Sequence, residues 1–149
     1  MVRMGTSRKQ LDEWKEMLRS RGLRATAPRL AVLGVLSRAT SPMSHGEVAE
    51  ALEDEPWDPA TVYRNLIDLS DASLVRRSDM GQVWRFEAAF LEEEGAHELG
   101  HPHFVCTDCG TVACVDDVEI CVKKRAQVPK AVKRQAVEIQ LRGLCDDCG

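Results

Sequence analysis

The chain has 149 residues, 44% hydrophobic and 30% charged, enough apolar content to bury one core or two small ones. Its formal net charge of −4 is unevenly spread: residues 1–86 carry 13 basic and 12 acidic side chains, residues 87–149 carry 7 and 12. No run approaches the roughly 20 apolar residues of a membrane span, and the opening MVRMGTSRKQLDEW lacks a secretory-signal core, so the sequence predicts a soluble, cytoplasmic protein without a membrane partner. Attraction to nucleic acid depends on where basic groups cluster, so the charge balance neither supports nor excludes DNA. In a reducing cytosol the six cysteines read as metal ligands or reactive thiols rather than disulfides.

Four helical patterns come first. One runs from about Arg8 to Ser20 and stops near Gly22. The second has Thr26 as N-cap, with Leu30, Leu33 and Leu36 at helical spacing through about Arg38. Pro42 and Ser44 open the third, where Ser44 and Glu47 have capping-box spacing and Val48 and Leu52 form the apolar stripe. Asp58-Pro59 is a strong start for the fourth, predicted to reach about Ala72. Its apolar side is Val62, Leu66 and Leu69, which leaves Thr61, Arg64, Asn65 and Asp68 on another face. Leu74–Arg77 and Val83–Phe86 then read as a hairpin around Asp79-Met80-Gly81. Helices closed by a hairpin describe a winged helix-turn-helix, with the fourth helix as groove reader and the hairpin as wing. A plain helical domain with a surface hairpin fits the same pattern.

Residues 88–100 are acidic and read as a linker carrying His97. Beyond them, Phe104-Val105 and Thr111–Val115 look like strands, Asp116 to Ala126 like a helix, and Ala136 to Leu141 like a strand alternating Val137, Ile139 and Leu141.

Two clusters carry chemistry. Cys106-Thr107-Asp108-Cys109-Gly110 and Cys145-Asp146-Asp147-Cys148-Gly149 each present two thiols from one tight turn, and two such turns make the tetrahedral four-sulfur set of structural zinc sites. A dithiol redox pair or unrelated buried cysteines are the alternatives, although a redox motif needs only one pair. His101-Pro102-His103, with His97 four residues earlier and Glu87 at the end of the wing, is a second candidate metal site. Imidazole and carboxylate ligands suit zinc, iron, manganese or nickel, and a His-x-His on a strand points both rings to one side.

Gly22-Leu23-Arg24-Ala25-Thr26 with Arg29, Ser44…Glu47, Thr61-Val62-Tyr63-Arg64…Leu66…Leu69, Phe86-Glu87, His101-x-His103, Cys106-x-x-Cys109-Gly110 and Cys145-x-x-Cys148 resemble, in order and spacing, the ferric uptake regulator family over roughly residues 18–149. The resemblance implies an α+β chain that forms a homodimeric repressor. It has a winged-helix DNA-binding domain at 1–87, a hinge at 88–100, and a small α/β dimerisation and metal-binding domain at 101–149. It implies that Tyr63 and Arg64, flanked by Thr61 and Asn65, contact a palindromic double-stranded DNA operator. Arg24, Arg29 and Lys15 are implied as backbone contacts, and Arg76, Arg77 and Arg85 as the arms of the wing; arginine and tyrosine suit guanine edges, phosphates and thymine methyls. Cys106, Cys109, Cys145 and Cys148 match the family's structural zinc site. Glu87, His101 and His103 match its regulatory site for a second divalent metal, zinc, iron or manganese.

The chain also departs from the family pattern. The family's N-terminal regulatory histidine falls at Pro42, with His45 nearby, and its later regulatory carboxylate falls at Cys114. A further metal site is missing, since Gly100, Pro102, Cys121 and Val137 occupy its positions. A thiolate at Cys114 would soften the regulatory site toward zinc, while His97, His45 or Cys114 remains open as the completing ligand; Cys114 also fits a core position. The rival on the same scaffold is a peroxide or redox sensor pairing Cys114 with Cys121. A rival from another class is a zinc-dependent hydrolase with Glu87 as base, against which stands the lack of any nucleophile motif or substrate loop.

Overall fold

The structure is a computed structural model and describes residues 6–91, 102–115, 117–118, 127–133 and 138–149. The chain divides into two compact units, Met1–Asp79 with Val83–Leu91, and Met80–Gln82 with Glu92–Gly149.

The first unit holds α1 (Arg8–Ser20), α2 (Ala27–Arg38), β1 (Met43–Ser44), α3 (His45–Ala51), α4 (Pro59–Asp71), β2 (Val75–Asp79) and β3 (Trp84–Ala88). Its helix ends follow from local chemistry. Ser7 accepts the Gln10 amide at the start of α1. Gly22, at φ +76°, closes α1 with paired bonds from Gly22 N to Arg19 O and from Leu23 N to Leu18 O. The Ser44–Glu47 capping box is complete, each side chain accepting the other residue's backbone N–H. Asp58 accepts the Thr61 amide at 2.7 Å and Pro59 occupies the first turn of α4. Thr26 stands at the N-cap of α2 as the sequence predicts, but its hydroxyl makes no capping bond there; Pro28 in the first turn supplies the start signal.

The core is one cluster that includes Trp14, Leu18, Val32, Leu33, Leu36, Val48, Val62, Leu66, Leu69, Leu74 and Phe86. Helix α2 is buried over five consecutive residues, Val32 to Leu36, so it lies inside the unit rather than presenting a single apolar stripe. The wing is a three-stranded antiparallel sheet in the order β1-β3-β2. Gly81 and Gln82, both at positive φ, form its turn, with the mirror-image twist that suits a hairpin. The two-residue strand β1, which the sequence does not announce, joins the start of α3 to the wing through Met43↔Phe86 and Ser44↔Arg85.

The second unit contains β4 (His103–Cys106), β5 (Val112–Cys114), a single turn α5 (Lys130–Lys133) and β6 (Gln140–Gly143), with sheet order β5-β4-β6. The sequence misses α5 and sets the last strand too early: Ile139 precedes it and Val137 lies outside the described residues. The helix expected from Asp116 to Ala126 falls almost wholly outside them, and its described members Asp117 and Val118 are not helical. No helix among the described residues is long and apolar enough to cross a membrane.

Leu66 is fully buried on α4 at the centre of the first unit's core. Leu66→Ala should lower the unfolding free energy by about 2–5 kcal/mol, read as a shifted midpoint in denaturant with the slope unchanged.

Candidate metal centres and nucleic-acid face

The pairing of β4 with β6 is parallel, with Cys106 opposite Gly143. Both strands therefore end at the same edge of the sheet, and the turn after each carries its cysteines there. Thr107 extends the ladder by donating its amide to Gly143 O at 2.8 Å. In the first turn Gly110, at φ +75°, donates to Cys106 O; in the second, the amides of Cys148 and Gly149 both bond Cys145 O. The sulfurs of Cys106, Cys109, Cys145 and Cys148 all lie within 4.8 Å of one another. Cys109 and Cys145 Sγ are 3.7 Å apart, far beyond a disulfide bond, whereas a tetrahedron of thiolates about 2.3 Å from zinc has edges of roughly 3.8 Å.

The electrostatics agree with a cation site. Backbone amides of Cys109, Cys145 and Asp108 point at Cys106 and hold its thiol down at about 6. The Thr111 hydroxyl, 3.1 Å away, lowers Cys109. Cys148, beside the Cys145 and Cys109 sulfurs, is pushed up to about 12. Negative charge is invited at one end of the cluster and rejected at the other, which a divalent ion resolves by neutralising all four sulfurs. The donor set fits zinc.

On the other edge of the same sheet the antiparallel register sets His103 directly opposite Cys114. Their ligating atoms lie within 4.8 Å, with His103 only 1% exposed and Cys114 half-buried. Glu87 stands on β3 in the first unit, where Arg76 donates to its Oε1 at 2.8 Å. His97, His101 and Cys121 lie outside the described residues. His45 is engaged within the first unit: its Nε2 is 2.7 Å from Pro59 O and its ring meets Tyr63 edge-on.

The expected DNA contacts divide by environment. Tyr63 is 41% exposed and Arg64 is exposed on α4, the second helix of the helix-turn-helix. Thr61 is half-buried. Asn65 differs from the expectation: it is buried, and its amide donates back to Thr61 O at 2.8 Å. Arg24 is exposed, but Arg29 is not, since its guanidinium bonds Asp68 at 2.7 Å and Arg24 O at 3.0 Å with only 16% of the side chain exposed. Arg29 thus ties α2 to α4. Lys15 pairs with Asp12 on α1.

On the wing, Arg76 binds Glu87 and Arg85 binds Glu47 and Pro42 O, so neither serves as an outward arm. Arg77 is exposed and stacks over Trp84, 4.5 Å from the ring. Trp84 is a half-exposed aromatic that sequence reasoning missed; its signal is an indole at the mouth of a hairpin, past the last buried residue of its strand, Phe86.

Arg29→Ala should destabilise the first unit by about 1–2 kcal/mol, because Asp68 and Arg24 O lose a part-buried charged donor. Arg24→Ala should leave the denaturation midpoint unmoved while weakening DNA binding most at low salt.

The sequence profile described as the ferric uptake regulator family matches residues 20–142. The ferric uptake regulation protein of Bordetella parapertussis is 33% identical over 136 residues, covering 88% of this chain and 93% of that one. The transcriptional regulator FurA of Mycobacterium tuberculosis is 32% identical over 147 residues, covering 93% and 91%. Among solved structures, the Vibrio cholerae ferric uptake regulator superposes with a TM-score of 0.63 at 28% identity, over 88% of this chain and 98% of that one. A zinc uptake regulator solved with zinc and DNA shares the fold at a TM-score of 0.57 and 22% identity, over 96% and 95%. The winged helix-turn-helix, the four converging cysteines and these likenesses together place the chain in the ferric uptake regulator family of metal-responsive, DNA-binding transcriptional regulators.

Proposed function

We propose that this chain is a homodimeric cytoplasmic repressor that binds a palindromic double-stranded DNA operator when a regulatory divalent metal is bound, with zinc sensed in preference to iron or manganese. The observation that supports zinc is the cross-strand pair of His103 and Cys114, an imidazole facing a thiol. A sulfur ligand favours zinc, whereas iron and manganese sensing suits an all-nitrogen and oxygen set. Glu87 is a further ligand, its carboxylate oriented by Arg76 as an outer partner orients a ligand; His101, just after the linker, and His97, within it, are the others. When bound, the ion can bias the protein toward its DNA-binding form only by its difference in affinity between the alternative forms. Cys106, Cys109, Cys145 and Cys148 hold the structural zinc.

On the DNA, Tyr63 and Arg64 read the groove with Thr61 beside them. Arg24, Lys15 and Arg77 neutralise phosphates, and Arg77 is held ready by Trp84. Asn65 and Arg29 act from inside the fold by stiffening α4 and docking it.

Two outcomes follow. Cys148→Ser should cost the chain one tightly held zinc and strip amide-exchange protection from β4 and β6, leaving α1 to α4 protected; metal analysis with exchange mass spectrometry reads both. With the thiolate site filled, added zinc should tighten DNA binding at fixed salt. His103→Ala should abolish that response, and Cys114→Asp should move it toward ferrous iron or manganese. Equal DNA affinity with and without added metal would overturn metal control, and an unaltered metal order in Cys114→Asp would remove the zinc preference.

A further inference from the structure

His45 is the first residue of α3, and its chemistry is absorbed by neither metal centre. Its Nε2 lies 2.7 Å from the carbonyl oxygen of Pro59, the first residue of α4. A carbonyl only accepts, so Nε2 carries the proton and donates. In an α-helix the carbonyl of residue 59 also receives the amide of residue 63. The His45 side chain therefore grips the Pro59–Ala60 peptide, whose carbonyl is also the helical acceptor of the Tyr63 amide. The same imidazole meets the Tyr63 ring edge-to-face, with centroids 5.2 Å apart and planes at 65°, the arrangement aromatic quadrupoles prefer. Tyr63 is 41% exposed, and an exposed ring on a helix surface has several open rotamers unless a neighbour selects one.

His45 itself is fixed from behind. Ser44 is the N-cap of α3, tied to Glu47 by the reciprocal capping bonds and paired with Arg85 of the wing, whose guanidinium binds Glu47. The wing thus braces the start of α3, and α4 receives the imidazole that α3 carries.

We propose that His45 is a positioning residue for DNA recognition, holding the start of the groove-reading helix through Pro59 O and presenting the Tyr63 ring in the rotamer that meets the base edge. This rests on the reading of Tyr63 as a DNA contact, and the test separates the two. The probe is double-stranded DNA selected from a randomised pool by the zinc-loaded wild-type protein. Binding is compared for wild type, His45→Ala, Tyr63→Ala and the double variant, with the melting temperature of each.

The expected result is a loss of roughly 2- to 10-fold for His45→Ala, with a clearly smaller further loss when His45→Ala is added to Tyr63→Ala. His45→Gln, which keeps a donor for Pro59 O, and His45→Phe, which keeps the ring, should each recover part of the affinity, and they serve in its place should His45→Ala fold poorly. A general loss of stability would lower all DNA binding in step with the melting temperature and would not reproduce this non-additivity. Tyr63 is the sole tyrosine of the chain, so ring-labelled protein gives one tyrosine signal set, expected to broaden or split in His45→Ala without DNA. Losses that add in the double variant, or a Tyr63 signal indifferent to His45, overturn the proposal. Wild-type affinity in Tyr63→Ala overturns the reading of Tyr63 and this proposal with it, whereas a Tyr63→Ala loss alongside a silent His45→Ala overturns only the latter.

Discussion

The parallel pairing of β4 with β6 is the constraint on which the second unit depends. The two cysteine pairs are separated by 35 residues of chain, and no local propensity brings them together; the register Cys106↔Gly143 does. Parallel strands end on the same side, so the turn after each projects at one edge, and the backbone amides of those turns already solvate sulfur charge. A metal at that edge would in turn close the loop between the strands. This matters for a sheet of strands only three or four residues long, whose described core holds few apolar side chains beyond Val105 and Cys106. The same strand β4 places His103 at its opposite end, across from Cys114. One short strand therefore orients a donor for each centre.

In the first unit the ordering force is conventional burial, but the direction of the groove-reading helix is set by polar contacts at its ends. Asp58, its carboxyl held below the usual range by the Thr61 hydroxyl and amide, begins α4. Arg29 grips Asp68 near the other end, and Arg21 donates to Ala72 O at the C-cap. A helix fixed at both ends can present Tyr63 and Arg64 to a partner without refolding, which limits the ordering cost of binding.

Much of this was legible because it is written locally. Caps need specific residue types at fixed offsets, so Ser44 with Glu47 and Asp58 with Pro59 mark α3 and α4 correctly, and Cys-x-x-Cys-Gly pairs announce tight turns wherever they sit. What failed was decided at a distance. β1 is two residues long and exists only because β3 lies beside it. Asn65 sits at a helical position that reads as polar and outward, yet it satisfies its amide on the preceding turn and is buried. The fates of Arg29, Arg76 and Arg85 depended on carboxylates 39, 11 and 38 positions away in the chain. His45 raised the question of a ligand because it stands close to Pro42, where the family pattern has a regulatory histidine; the backbone oxygen it meets belongs to the next helix.

Those ion pairs also bear on which charges are left to meet DNA. A half with 13 basic and 12 acidic groups looks ill-suited to a polyanion. Asp68, Glu87 and Glu47 pair with Arg29, Arg76 and Arg85, which takes up charges of both signs equally and leaves the sum unchanged. Arg24, Arg64 and Arg77 remain exposed. Phosphate attraction falls off within about 8 Å at physiological salt, so only charges near the contact face matter. A near-neutral domain can thus engage DNA electrostatically wherever its exposed arginines lie at the contact face.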